Sequence, residues 1–184
     1  GENGTITPEG TQTVECGDDI TFAIVPDDCY YILDVLVDGE SVGAVETYTF
    51  ENVRDDHTIE ALFEKFTYEV VATAGENGTI TPEGTLTVEC GDDITFAIVP
   101  DDCYYILDVL VDGESVGAVE TYTFENVRDD HTIEALFEKF TYEVVATAGE
   151  NGTITPEGTL TVECGDDLQF TFTPDEGYGV DLVT

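Results

Sequence analysis

Five cysteines, Cys16, Cys29, Cys90, Cys103 and Cys164, carry the most chemistry in this chain. A thiol can ligate zinc, act as a nucleophile or oxidise to a disulfide, and its surroundings select among these. No Cys-x-x-Cys pair occurs and there are two histidines, His57 and His131, so the usual spacing of a zinc site is missing. A hydrolase needs a nucleophile and a base that converge, and no such set is apparent, so the chain reads as non-enzymatic. Disulfides remain, and with them an oxidising, extracellular location at the cell surface or beyond it. Acidic pairs flank the cysteines: Asp27-Asp28, Asp92-Asp93, Asp101-Asp102 and Asp166-Asp167. Four carboxylates brought to one place would suit a hard cation such as Ca²⁺, which takes six to eight oxygens. The plainer account is that paired Asp residues form hydrogen-bonded turns.

The elements that position these cysteines repeat. Residues 1–74 return as 75–148 with one difference, Gln12 against Leu86, and a third copy starts at Gly149, stays close through Asp167 and then diverges. A period of 74 residues is about the size of a small autonomous domain. The expected fold is all-β, a tandem array of roughly 74-residue domains that are β-sandwich-like or β-grasp-like. Strand alternation from Tyr68 to Ala74 sets the start of a unit near Thr67. The units are then 1–66, lacking its first strand, 67–140, complete, and 141–184, truncated. The join between Phe137 and Tyr142 is short and lacks Gly and Pro, which predicts a restricted angle between neighbours.

Within the complete unit, Glu76-Asn77-Gly78-Thr79 predicts a tight hairpin between the Tyr68 strand and Thr79–Thr81. Further strands follow at Thr85–Cys90, Ile94–Val99, Cys103–Asp112 and Tyr122–Phe124, then a closing strand with Ile133, Ala135 and Phe137 inward: about seven in all. Tyr104 and Ile106 are out of phase with Val109 and Val111, which predicts a β-bulge near Leu107 and Asp108.

Strand length constrains the cysteines. Cys16 and Cys29 bracket a strand from Ile20 to Pro26 that spans roughly 23 Å at about 3.3 Å per residue, whereas bridged Cα atoms lie within about 7 Å. An internal bond is therefore disfavoured, and the two thiols stand at opposite poles. The scheme that follows pairs Cys29 with Cys90 and Cys103 with Cys164, leaving Cys16 for an upstream unit or a partner chain. The alternative is five free thiols, or pairs between molecules. The third copy has Gly177 at the place of Cys29 and Cys103, which ends the series.

Charge bounds the partners. There are 42 Asp and Glu against 4 Lys and Arg, a net charge of −38, so nucleic acid and anionic membrane are excluded as partners by repulsion. Regular apolar alternation and 41% hydrophobic residues argue against disorder. No run is long enough to insert in a bilayer as a helix. The strand faces away from the expected core carry Ala23, Val25, Tyr31, Leu33 and Leu36, and again Ala97, Val99, Tyr105, Leu107 and Leu110. In the third copy Thr171, Thr173, Gly179, Asp181 and Thr184 replace the latter five, while Asp108 becomes Leu182. Such aliphatics need a cover, either a second sheet of the same domain or a lateral contact with identical chains in a fibre.

The run Tyr-x-Val, Asn-Gly-Thr-Ile-Thr-Pro-x-Gly, Val-x-x-Gly-Asp, Val-x-Val-Asp-Gly, Tyr-Thr-Phe-x-Asn-Val and Asp-His-Thr-Ile-x-Ala-x-Phe resembles the divergent internalin-type B-repeat domains of bacterial surface proteins. The resemblance implies a small β-rich module used in tandem as a spacer or adhesion element, with no catalytic residues. It also implies glycine where Cys29 and Cys103 stand, as Gly177-Tyr178 retains. Two functions follow: an extracellular stalk or fibre segment with neighbouring repeats as partners, or an adhesion module that recognises a receptor or glycan. Near-identity of the copies favours the first.

Overall fold

A computed structural model describes residues 2–181 and 183; the expectations that fall on Leu182 and Thr184 lie outside the described residues. The chain is all-β, built of short antiparallel strands. The first repeat contributes β1 (Gly4–Thr7), β2 (Ile20–Pro26), β3 (Tyr30–Val37), β4 (Glu40–Gly43), β5 (Thr47–Phe50) and β6 (Ile59–Lys65). The second adds β7 (Thr67–Ala74), β8 (Gly78–Thr81), β9 (Gly84–Glu89), β10 (Ile94–Pro100), β11 (Tyr104–Val111), β12 (Glu114–Gly117), β13 (Thr121–Phe124) and β14 (His131–Lys139). The third contributes β15 (Thr141–Ala146), β16 (Gly152–Thr155), β17 (Gly158–Glu163) and β18 (Thr171–Pro174).

Each repeat splits its strands between two sheets, the sandwich-like plan. In the first these are β1-β2-β5 and β4-β3-β6; in the second, β8-β10-β13 and β12-β11-β14-β7-β9; in the third, β16-β18 and β15-β17. By compactness the chain forms two units. One comprises Gly1–Val70, Thr85–Thr95 and Thr123–His131, and the other Val71–Gly84, Phe96–Tyr122 and Thr132–Thr184.

In the first unit β2 pairs with β1 from Gly4↔Pro26 to Thr7↔Ala23 and with β5 from Ile20↔Phe50 to Ala23↔Thr47. Alternation puts Phe22 and Ile24 on the inward face, where they are buried; Val35, Phe50, Val70, Val88 and Val127 are also buried in this unit. The second unit buries Ala72, Ile80, Phe96, Ile98, Ile106, Val109, Ile133 and Ala135.

The predicted bulge is present. Pairing of β11 with β14 slips between Ile106 and Asp108, and β3 with β6 between Ile32 and Asp34. The aspartate stabilises the slip, since Asp34 Oδ1 accepts from the Val35 amide (2.8 Å), the Ser41 hydroxyl (2.8 Å) and the Gly43 amide (3.1 Å). Asp108 does the same for Val109, Ser115 and Gly117. Those amides would otherwise be orphaned by the irregular ladder.

Two expectations are corrected. The Asn-Gly turn does not close a hairpin: β8 pairs with β10, from Ala97↔Thr81 to Pro100↔Gly78, while the strand before the turn belongs to the other sheet. In the third repeat likewise β15 pairs with β17, from Thr141↔Glu163 to Ala146↔Gly158, and not with β16. Asn77, at φ 73°, carries the chain between sheets. Gly78 follows because a Cβ there would lie 2.3 Å from the Phe137 ring. The second correction is a strand the turn chemistry hid: Glu114–Gly117 pairs with β11, making eight strands in the repeat.

Candidate functional site: the cystine junctions

In the first compact unit, Cys29 and Cys90 form a disulfide with Cα atoms 5.5 Å apart, closing 61 residues of sequence. In the second, Cys103 and Cys164 do so at the same Cα distance and the same separation. Each bond joins one repeat of the sequence to the next. Cys16, the counterpart of Cys90 and Cys164, is free and exposed.

The junctions rest on a backbone ladder through one phenylalanine. The Phe66 amide donates to the Cys29 carbonyl (2.9 Å), and the Phe66 carbonyl accepts from the Cys90 amide (2.8 Å). Phe140 bonds Cys103 and Cys164 at the same two distances. A ladder rung thus lies beside each cystine, and holds the two cysteine backbones at bridging separation. Above it the Phe66 ring packs on Tyr31 at 5.0 Å, as Phe140 does on Tyr105. The Tyr31 hydroxyl donates to Glu64 and that of Tyr105 to Glu138, which holds both phenols above their ordinary pKa.

The scarce cations collect here. Lys65 Nζ reaches Glu89 at 3.0 Å and Asp92 at 3.2 Å; Lys139 reaches Glu163 at 3.1 Å and Asp166 at 3.7 Å. Arg128 grips Asp28 with its two terminal guanidinium nitrogens, at 3.0 and 2.8 Å. These partners shift one another. The hydrogen bond and charge of Arg128 hold the Asp28 carboxyl below its ordinary pKa, and Glu89, then Asp92, raise that of Lys65. In a chain of net charge −38, the junction is where opposite charge is concentrated.

One position at each junction is strained by design of the backbone. Cys29 has φ 68° and Cys103 has φ 70°, in the left-handed region, where Gly177 of the third repeat sits at 85°. A side chain there costs roughly 1–2 kcal/mol against glycine. The bond formed by that side chain offsets the cost.

Of the other acidic residues proposed for a cation, Asp93 bonds through its carboxylate, which accepts from the Asn126 amide (2.7 Å). Asp27 and Asp101 bond through their backbone carbonyls, each closing a turn with the tyrosine amide three residues on. Asp102 is exposed, as are Asp166 and Asp167. Among the described residues no three His, Cys, Asp or Glu are grouped to hold a metal ion. His57 is bound to Asp38 (2.7 Å) and stacked on Phe50.

The proposed lateral residues divide. Val25, Leu33, Val99 and Leu107 are exposed at 56, 50, 58 and 49%, so no second sheet covers them among the described residues. Ala97 is exposed too, whereas Ala23, Tyr31, Leu36, Tyr105 and Leu110 are half-buried.

Sequence reasoning missed the lysines, the arginine and the phenylalanine of the junction. Their signal was present: all four Lys and Arg recur at fixed offsets from the cysteines in a chain otherwise stripped of positive charge.

A family model described as a divergent InlB B-repeat domain matches residues 68–141 and, directly after, 142–181. No curated protein and no solved structure matches the chain.

Proposed function

The chain belongs to the divergent InlB B-repeat family, and on that premise we propose that it is an extracellular structural repeat, a stalk or fibre segment of a bacterial surface protein. The observation that carries this is the junction, reproduced with the same bond, ladder and lysine in both compact units. A spacer gains from identical, covalently fixed joins, while a recognition site needs one good copy. Cystines fit an oxidising exterior, and the role is mechanical rather than catalytic.

Pulling on the two ends tests it. Each bond diverts tension around 61 residues, hiding about 210 Å of contour at ~3.5 Å per residue. Force spectroscopy should show two added extensions of this size when a reductant is introduced. Equal extension with and without reductant would sink the mechanical reading. The uncovered Val25, Leu33, Val99 and Leu107 favour a second reading, an adhesive face. A receptor and glycan array probed with the intact chain would score it.

A further inference from the structure

The first repeat presents, unfilled, the surface that its near-identical successor uses to bind a neighbour. A groove of about 740 Å³ opens there, walled by Val14, Ile20, Phe22, Phe50, Val53 and Ile59. Phe22 and Phe50 are buried at its floor, but Val14, Val53 and Ile59 are only half-buried, whereas their counterparts in the second repeat are closed over: Val88 is 7% exposed, Val127 1% and Ile133 1%. In the sheet order of that repeat β7 lies between β14 and β9. Its inward residues Val70 and Ala72 are fully buried, and the Gly75 amide at its end bonds the Ala135 carbonyl (2.8 Å). No strand stands beside β6 in that way among the described residues.

Three polar groups around the groove tell the same story. Cys16 is a free thiol, where Cys90 is bonded to Cys29. Arg54 donates to Asn52 alone among the described residues, at 3.3 and 3.4 Å, where Arg128 also grips Asp28. Asp56 and its counterpart Asp130 are both exposed, but it is Asp130 that accepts the Glu69 amide of β7 (2.8 Å).

We propose that this face is a docking site for a further copy of the same repeat placed ahead of Gly1, whose strand of the Phe66–Ala74 sequence fills the groove while its Cys29-position thiol bonds Cys16 and its Asp28-position carboxylate takes Arg54. The bond forms by exchange with a small-molecule disulfide such as oxidised glutathione. Two thiols lose their protons, one S–S bond forms between them, and the oxidant takes the two electrons and leaves as two glutathione thiols. The site is required whether the array serves as a stalk or as an adhesive face.

Two arms test it. With the chain as it stands, a synthetic Phe66–Ala74 peptide should slow amide exchange at Thr13–Glu15 at least tenfold, and a scrambled peptide should not. With one added copy of residues 1–74 ahead of Gly1, a non-reducing peptide map in a glutathione redox buffer should recover Cys16 linked to the added copy's Cys29 counterpart. The same extended chain carrying Cys16→Ser should keep the slowed exchange, because the strand docks without the bond. Cys16 recovered free, glutathionylated or joined to another Cys16, with exchange at Thr13–Glu15 unchanged, overturns the proposal.

Discussion

Residues 11–15 and 85–89 are Thr-Gln-Thr-Val-Glu and Thr-Leu-Thr-Val-Glu, one side chain apart, yet only the second set forms a strand. The difference is made by neighbours. In the third repeat the corresponding residues pair along their length with β15, and in the second they stand beside β7 in the sheet order. Intrinsic preference for the extended state is nearly the same in all three copies, so it does not decide the outcome. A strand of this length exists where another strand supplies its hydrogen bonds, which makes the repeat a unit of sequence and the junction a unit of folding.

The largest expected break in that comparison comes from the cystine. Cys90→Ser should lower stability by about 4 kcal/mol, the chain-entropy value for a loop of this length, while Cys16→Ser should stay within about 0.5 kcal/mol; urea melts under non-reducing conditions would tell the two apart. Equal effects would mean that the bond contributes nothing to the second repeat. Next in size is Val88→Ala, which should cost roughly 2 kcal/mol from two buried methyl groups and the space they leave. Val14→Ala, at the half-buried counterpart, should cost less than half of that in the same melts.

Smaller again is the choice of which thiol to remove. Cys29→Gly should be milder than Cys90→Ser by about 1 kcal/mol, because glycine releases the left-handed backbone at Cys29 as the bond is lost. A Cys29→Gly variant as unstable as Cys90→Ser would show that the turn is not strained.

The pH response should be gentler still. Asp28 has its folded pKa depressed by Arg128, so the stability it adds is present above the ordinary carboxylate range and fades as pH falls through the lowered value. Lys65 has its pKa raised, so its contribution is full below the ordinary lysine range and is lost as pH rises through the elevated value. Arg128→Ala should therefore weaken the acid limb of a stability profile, and Arg54→Ala should leave that limb in place. The smallest effect is expected from EDTA or added calcium, which should not move the melting temperature, since Lys65 and Arg128 already meet the junction's charge.

Much of this architecture is legible in the sequence. The period, the strands other than Glu114–Gly117 in the complete repeat, and the bulge follow from alternation and its slips, and a seven-residue strand between Cys16 and Cys29 is too long to be bridged across. Pairing order was not legible. Asn77-Gly78 has the composition of a tight hairpin, but a turn's chemistry fixes the local backbone and not which sheet each arm enters. The demand that placed Gly78 there came from the ring of Phe137, 59 positions away, and local sequence carries no trace of it. Lys65, Phe66 and Arg128 were missed for a related reason: their partners Glu89, Cys90 and Asp28 lie in another repeat, and distance along the chain hides them.

The two cystines also decide what happens when the chain is cut. Arg54 and Lys65 lie inside the ring closed by Cys29 and Cys90, and Arg128 and Lys139 inside the one closed by Cys103 and Cys164. Every bond that a trypsin-like protease could cleave is therefore bridged. With all four severed, the first and last residues stay covalently connected, and the excised β6 and β14 remain held by their sheets. Such a molecule can be nicked many times in a protease-rich milieu and still hold its two ends together until something reduces it.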